Sequence, residues 1–288
     1  MPFTLSHAAA VLPAVRADGS GRGPLVPALL VAGSFAPDLT YYAAGAVPGA
    51  MEFGTLTHSL PGVLTVDVLF SWTLVCGWLL LREPLVALLP RAWQGRPAAL
   101  LRCGTPRARP HPALIARWYA SAVLGSLTHI GWDAFTHHGR WGTRLIPALG
   151  DTVAGAPLYW YVQYGSSAVA AAVIAVFLTR SLRRVPLPDG PTGVPRLSRR
   201  DRGRAAALIA GCAAVAALVR AATWWSARGG TAKPWELIPT LCFGAGAGLT
   251  TGALLYATTV RLRRRESATT EESGTESGTE SRTEAGVS

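Results

Sequence analysis

The sequence predicts an all-α integral membrane protein with about five transmembrane helices and a short re-entrant helical hairpin at its N-terminus. Three observations predict it. Half of the 288 residues are apolar and only 15% are charged, whereas a soluble domain carries about 25%. The charges gather in short blocks between apolar stretches long enough to cross a bilayer, which takes roughly 20 residues. The arginines concentrate in alternate connections between those stretches, as topology-setting residues do.

The elements follow in chain order. Two apolar pieces, 3–15 and 24–36, would each be about 20 Å long as helices, too short to cross. They are expected to dip into the protein and return as a hairpin. Four full spans are expected at 62–81, 113–135, 162–178 and 205–227. A fifth, 235–260, carries the run Gly-Ala-Gly-Ala-Gly at 244–248, which suits close helix packing in lipid. The whole of 1–265 is expected to form one polytopic domain, with the chemistry-bearing residues in 1–170 and two or three further helices in 171–265. The tail 266–288 repeats Thr-Glu-Ser-Gly and has almost no apolar residues, a composition that predicts disorder.

Orientation is read from the arginines. Arg82, Arg91, Arg96, Arg102, Arg107 and Arg109 lie in one connection, eight more fall in 180–204, and Arg261, Arg263, Arg264 and Arg265 follow the last span. One topology places all three clusters in the cytoplasm, with the C-terminus, and leaves 37–61, 136–161 and 228–234 outside a cell membrane crossed several times. Trp141, Tyr159, Trp160, Tyr161, Trp224, Trp225 and Trp235 fall at the expected outer boundary, where amphipathic rings prefer to sit. The net charge of +11 therefore reads as topology, with the lipid bilayer as partner, and not as a nucleic-acid surface. Cys76, Cys103, Cys212 and Cys242 form no CxxC pair, which argues against a disulfide framework or a cysteine zinc site. Pro13 interrupts the first apolar run, and no basic residue precedes Arg16, so a cleaved signal peptide is not expected.

The polar residues are where chemistry is expected. Thr-His-Ile-Gly-Trp-Asp-Ala-Phe-Thr-His-His at 128–138 spaces His129, Asp133 and His137 four apart, on one helical face. A carboxylate and two imidazoles cost several kcal/mol to desolvate without a compensating charge, and a metal ion supplies one. A hydrogen-bonded polar seam between helices is the bland alternative. Asp38, in Ala-Pro-Asp-Leu-Thr-Tyr-Tyr, would equally serve as a turn or cap residue. His58, in Thr-His-Ser-Leu-Pro-Gly, precedes Pro61 at the start of a span. His7 alone on an apolar helix would ordinarily be a core histidine. The topology brings Asp38, His58 and His129 to one side, and the hairpin adds His7. Imidazole and carboxylate ligands suit zinc, with manganese or iron as alternatives. The expected ligands are His7, Asp38, His58, His129 and Asp133, with Asp133 and His137 in catalytic roles. Asp67 and Arg220 lie inside spans, where an unpaired charge costs at least ~2.5–3.5 kcal/mol. They are expected to pair, or Arg220 to hold an anionic group of the substrate.

Met-Pro-Phe-Thr-Leu-Ser-His-Ala-Ala-Ala at the start, Ala-Pro-Asp-Leu-Thr-Tyr-Tyr, Thr-His-Ser-Leu-Pro-Gly and His-Ile-Gly-Trp-Asp-Ala-Phe-Thr-His together resemble an uncharacterised membrane family, domain of unknown function 4184. More distantly, residues 1–170 resemble LexA-regulated inner-membrane metal-dependent hydrolases. Thr40 stands where the hydrolase pattern has a second acidic residue. The resemblance implies metal-dependent hydrolysis of a phosphoester or another lipid-linked substrate, with His7, Asp38, His58, His129 and Asp133 at the matching positions. Three other readings compete: a transporter or channel whose ionisable residues mark a path, a haem carrier, and a non-catalytic assembly protein using the cluster as structural glue.

The topology yields a direct expectation. A cysteine placed at position 150 should react with an impermeant maleimide from outside intact cells, and one at 190 should not. The reverse pattern would put the polar cluster in the cytoplasm.

Overall fold

The computed structural model describes residues 3–103, 111–186, 193–228 and 236–284, with side chains to 264. The connection expected outside at 228–234, Trp235, Arg107 and Arg109 fall wholly or mainly outside the described residues. The helices are α1 (Ala8–Val11), α2 (Pro27–Phe35), α3 (Leu39–Ala43), α4 (Ala50–Thr57), α5 (Leu60–Leu64), α6 (Val66–Ala87), α7 (Gly95–Arg102), α8 (Pro112–Thr136), α9 (Trp141–Leu145), α10 (Leu158–Arg184), α11 (Arg199–Arg228) and α12 (Leu237–Glu284). The strands β1 (Thr152–Val153) and β2 (Ala156–Pro157) make one small antiparallel hairpin. The architecture is all-helical and of membrane type. Four helices are long and apolar enough to cross a membrane: Val66–Ala87, Leu158–Arg184, Arg199–Arg228 and Leu237–Arg264. The expected span 113–135 is a helix, α8, 25 residues long. It does not meet the same apolar standard, and its C-terminal half carries the polar residues of the site.

Two expectations change in detail. The span expected from Gly62 divides at Thr65 into α5 and α6. Ser59 caps α5 by accepting the Gly62 N–H, so Pro61 opens this short helix and not the span. Asp67 consequently sits in the first turn of α6, not six residues into a helix. At the far end, α12 continues to Glu284, into the Thr-Glu-Ser-Gly stretch whose composition predicts disorder. The N-terminal hairpin is built from the 3-10 helix Thr4–His7, α1, the 3-10 helix Leu12–Ala14 and α2, with Val15 and Gly21 bridged across the turn.

The packing that matters most is α2 on α8. A Cβ on Gly33 would lie 2.3 Å from the Ala122 carbonyl oxygen, and one on Gly125 would lie 2.3 Å from that of Leu30. The two backbones can therefore touch only because neither residue has a side chain, the small-residue mode of helix association. Ser126 donates to the Gly33 carbonyl across the same contact at 3.1 Å. At the opposite end of α6, Pro84 has no N–H to offer the Leu80 carbonyl. Arg261 of α12 supplies the missing donors, reaching Leu80 and Leu79 at 2.9 Å each. Tyr256 donates to the Pro84 carbonyl at 2.8 Å. These contacts clamp α12 to α6, and α11 in turn packs along α12.

A candidate metal centre

Three local structures deliver four side chains to one point. His129 comes from the middle of α8, one turn beyond Gly125. Its Nδ1–H donates to the Ser34 carbonyl at 2.8 Å, so the α2–α8 contact fixes the ring and its tautomer. His58 caps the C-terminus of α4, and its Nδ1 donates to the Gly54 carbonyl at 2.8 Å. Asp38 ends a 3-10 turn that continues α2, and Thr4 donates to its Oδ2 at 2.5 Å. Asp133 lies four residues beyond His129 on the same face of α8.

The Nδ1 bonds decide the chemistry. With both Nδ1 atoms donating to carbonyls, each neutral imidazole turns an Nε2 lone pair inward. His129 Nε2 lies 3.5 Å from Asp38 Oδ1 and 3.5 Å from Asp133 Oδ2. His58 Nε2 lies 3.5 Å and 3.7 Å from the same two oxygens. His129 Nε2 and Asp38 Oδ1 are buried and make no hydrogen bond. Lone pairs facing carboxylates repel unless positive charge lies between them. Ligands held at ~2.0–2.2 Å around a tetrahedral ion are separated by about 3.3–3.6 Å, close to the 3.5–3.7 Å of these four His–Asp pairs. The ligand atoms of Asp38, His58, His129 and Asp133 all lie within 4.8 Å of one another and can hold a metal ion. The carbonyl partners at Nδ1 are the outer support that metal-binding histidines require.

The other expected residues sort around this set. His7 is not one of the four. It stacks on His129 with ring centroids 3.7 Å apart, and its Nε2 is 3.4 Å from Asp133 Oδ1. That places it against the outward oxygen of a ligand and not at the common point. His137 stands at the rim, Nδ1 3.5 Å from Asp133 Oδ2 and Nε2 3.4 Å from the Gln163 amide. Desolvation pulls its imidazole down to about 4, which leaves the ring neutral although 31% of the side chain is exposed. His138 is exposed and outside the cluster. The expected Asp67–Arg220 pair is not formed. Arg220 Nη1 donates to the Tyr41 carbonyl at 2.7 Å and lies 5.7 Å over the Phe243 ring. The Asp67 oxygens are buried without a hydrogen bond. The reason is packing: α11 lies along α12, which holds Arg220 away from the first turn of α6.

A cleft of about 1520 Å³ opens beside the centre. His58, Asp133, His137, Arg140, Gln163 and Arg220 line its polar part. Tyr41, Arg140 and Gln163 were not singled out from the sequence. Tyr41 stacks on His58 at 5.4 Å, and its only sequence sign is its place in the Asp38 segment. Arg140 falls three residues after His137, and Gln163 is a lone amide near the start of an apolar helix.

The helical membrane architecture and the buried His/Asp centre define a class: a membrane protein with a candidate metal site built from three separate segments. The family model described as "Domain of unknown function (DUF4184)" matches residues 1–258, and the chain belongs to that family. The match extends through the last two apolar helices, beyond the residues that carry the motifs. No curated protein and no solved structure matches, so the hydrolase resemblance rests on the motif residues alone.

The centre generates its own test. His129→Ala and Asp133→Asn should each lower the metal content of purified full-length protein at least tenfold, measured by plasma mass spectrometry. His138→Ala, outside the cluster, should leave it unchanged. Equal metal in all three variants would remove the site.

Proposed function

We propose that this protein is a membrane-bound, metal-dependent hydrolase, with its site at the outer membrane face and zinc as the favoured ion. The observation that supports the reading most strongly is the pair of inward Nε2 lone pairs set 3.5–3.7 Å from two carboxylates. Protonated imidazoles would also supply positive charge, but they would draw the oxygens into hydrogen bonds nearer 2.8 Å. A zinc ion held by these four residues would supply Lewis-acid chemistry, and would lower the pKa of a water taken as a fifth ligand toward about 7. The chain's residues then divide the remaining work. His7 and Tyr41 pack the ligand rings in place, His137 meets the cleft beside Asp133, and Arg140 and Arg220 attract an anionic group. In hydrolysis of a phosphoester, the water oxygen bonds to phosphorus, the bond to the alcohol oxygen breaks, and that oxygen takes the proton. A site open on one side to a large cleft, with its polar groups gathered at one end, fits an enzyme better than a through-path.

The test is turnover of a phosphomonoester such as p-nitrophenyl phosphate by the purified full chain. Activity should disappear in chelator, return with zinc or manganese, and fall at least a hundredfold in His129→Ala. Chelator-resistant turnover, or none with any divalent ion across phosphoester and carboxylester substrates, would overturn the reading.

A further inference from the structure

The cleft is larger than catalysis on a small molecule needs. Typical small-molecule sites enclose about 300–1,000 Å³, and this one is about 1520 Å³. Its polar residues sit at one end. The rest is walled by α10, α11 and α12, through residues such as Tyr164, Leu208, Val215, Val219 and Phe243. Along α11 the lining runs from Arg220 back to Ala207, about 20 Å of helix at 1.5 Å per residue. Both α10 and α11 are apolar enough to cross a membrane. α10 meets the cleft through Trp160, Gln163 and Tyr164 near its start, while α11 and α12 line most of its length and pack along each other. Gly244, Gly248 and Gly252 hold that packing close: Cβ atoms there would lie 2.9, 2.1 and 2.9 Å from the backbone of α11. Apolar walls carried by membrane-crossing helices offer a surface that a hydrocarbon chain can fill.

Resting on the hydrolase reading, we propose that the substrate is a membrane lipid with a phosphate headgroup, taken from the bilayer. Its apolar chain lies along α11 and α12, and its phosphate is held by Arg220 and Arg140 beside the His/Asp centre. The charge argument is local. Arg220 is half-buried on an otherwise apolar wall and gives one N–H to the Tyr41 carbonyl. A guanidinium at that depth costs several kcal/mol without an anion or comparable partner, and its planar fork matches phosphate. Free phosphate would satisfy the arginines but leave the apolar walls empty. A neutral lipid would fill the walls but leave the cations unmatched.

The probe is radiolabelled farnesyl phosphate, bound at equilibrium to the full-length protein in detergent and competed with unlabelled farnesol or inorganic phosphate. Farnesyl phosphate should bind at least tenfold more tightly than either competitor. Arg220→Gln should lose at least tenfold, Arg220→Lys should recover part of that loss, and Val215→Trp should weaken binding by filling the slot. Unchanged metal content shows that each variant is folded; if an Arg220 variant loses metal, the wild-type competition and Val215→Trp decide. Farnesol competing as well as farnesyl phosphate, or wild-type affinity in a folded Arg220→Gln, would overturn the proposal. The two readings fail separately. Farnesyl phosphate binding that depends on Arg220 but accompanies no metal-dependent turnover supports the lipid site and defeats the hydrolase. Metal-dependent turnover of p-nitrophenyl phosphate without farnesyl phosphate binding does the opposite.

Discussion

Two imidazole Nε2 atoms and two carboxylates, lone pairs inward when the rings are neutral, point into one small buried space walled by helices. Each pair alone would be unremarkable in a protein; together they repel, and the repulsion is costly where the dielectric is low. The rest of the structure holds them there regardless. Both histidines donate their Nδ1 hydrogens to backbone carbonyls, at Ser34 and Gly54, so neither ring can turn its lone pair away without losing a hydrogen bond. Asp38 is held by Thr4, and His7 stacks against His129. A polar seam kept only for helix association would not need four acceptors aimed at a common centre. A cation there resolves the conflict.

Seen from that centre, the N-terminal hairpin has a task. The pieces at 3–15 and 24–36 are too short to cross a bilayer, but they bring the Ser34 carbonyl and Asp38 to the middle of α8. Gly33 and Gly125 permit the approach, and His129 lies one turn further along α8, where the contact can fix it. Thr57 then ties the start of the His58 segment to the turn before Asp38, donating to the Pro37 carbonyl at 2.7 Å. The candidate ligands therefore come from three places in the sequence but rest on a continuous set of backbone contacts. Loss of the α2–α8 contact would disorganise the centre without touching a ligand.

Much of this is legible in the sequence because a bilayer writes strongly on composition. The helical class, the long apolar helices and the candidate ligands Asp38, His58, His129 and Asp133 all follow from apolar length, charge blocks and four-residue spacing. What was not legible depends on backbone geometry or on packing across the chain. The break at Thr65 is a local conformation that apolar length cannot reveal, and it moved Asp67 to the first turn of α6. The separation of Asp67 from Arg220 follows from α11 lying along α12, a pairing that depth along a span does not encode. Side of the membrane groups His7 with the ligands; its stacking on His129, outside the group of four, follows from packing that side alone does not encode. The carbonyls of Ser34 and Gly54, which set the tautomers, have no residue-type signal at all.

The most direct measurement is the X-ray absorption spectrum, at the zinc edge, of the purified full-length protein loaded with one equivalent of zinc. The expected spectrum is that of a four-coordinate ion with two imidazole nitrogens and two carboxylate oxygens at about 2.0–2.2 Å, and no sulfur. A six-coordinate aqueous spectrum, or scattering from a thiolate at about 2.3 Å, would contradict a centre made of Asp38, His58, His129 and Asp133.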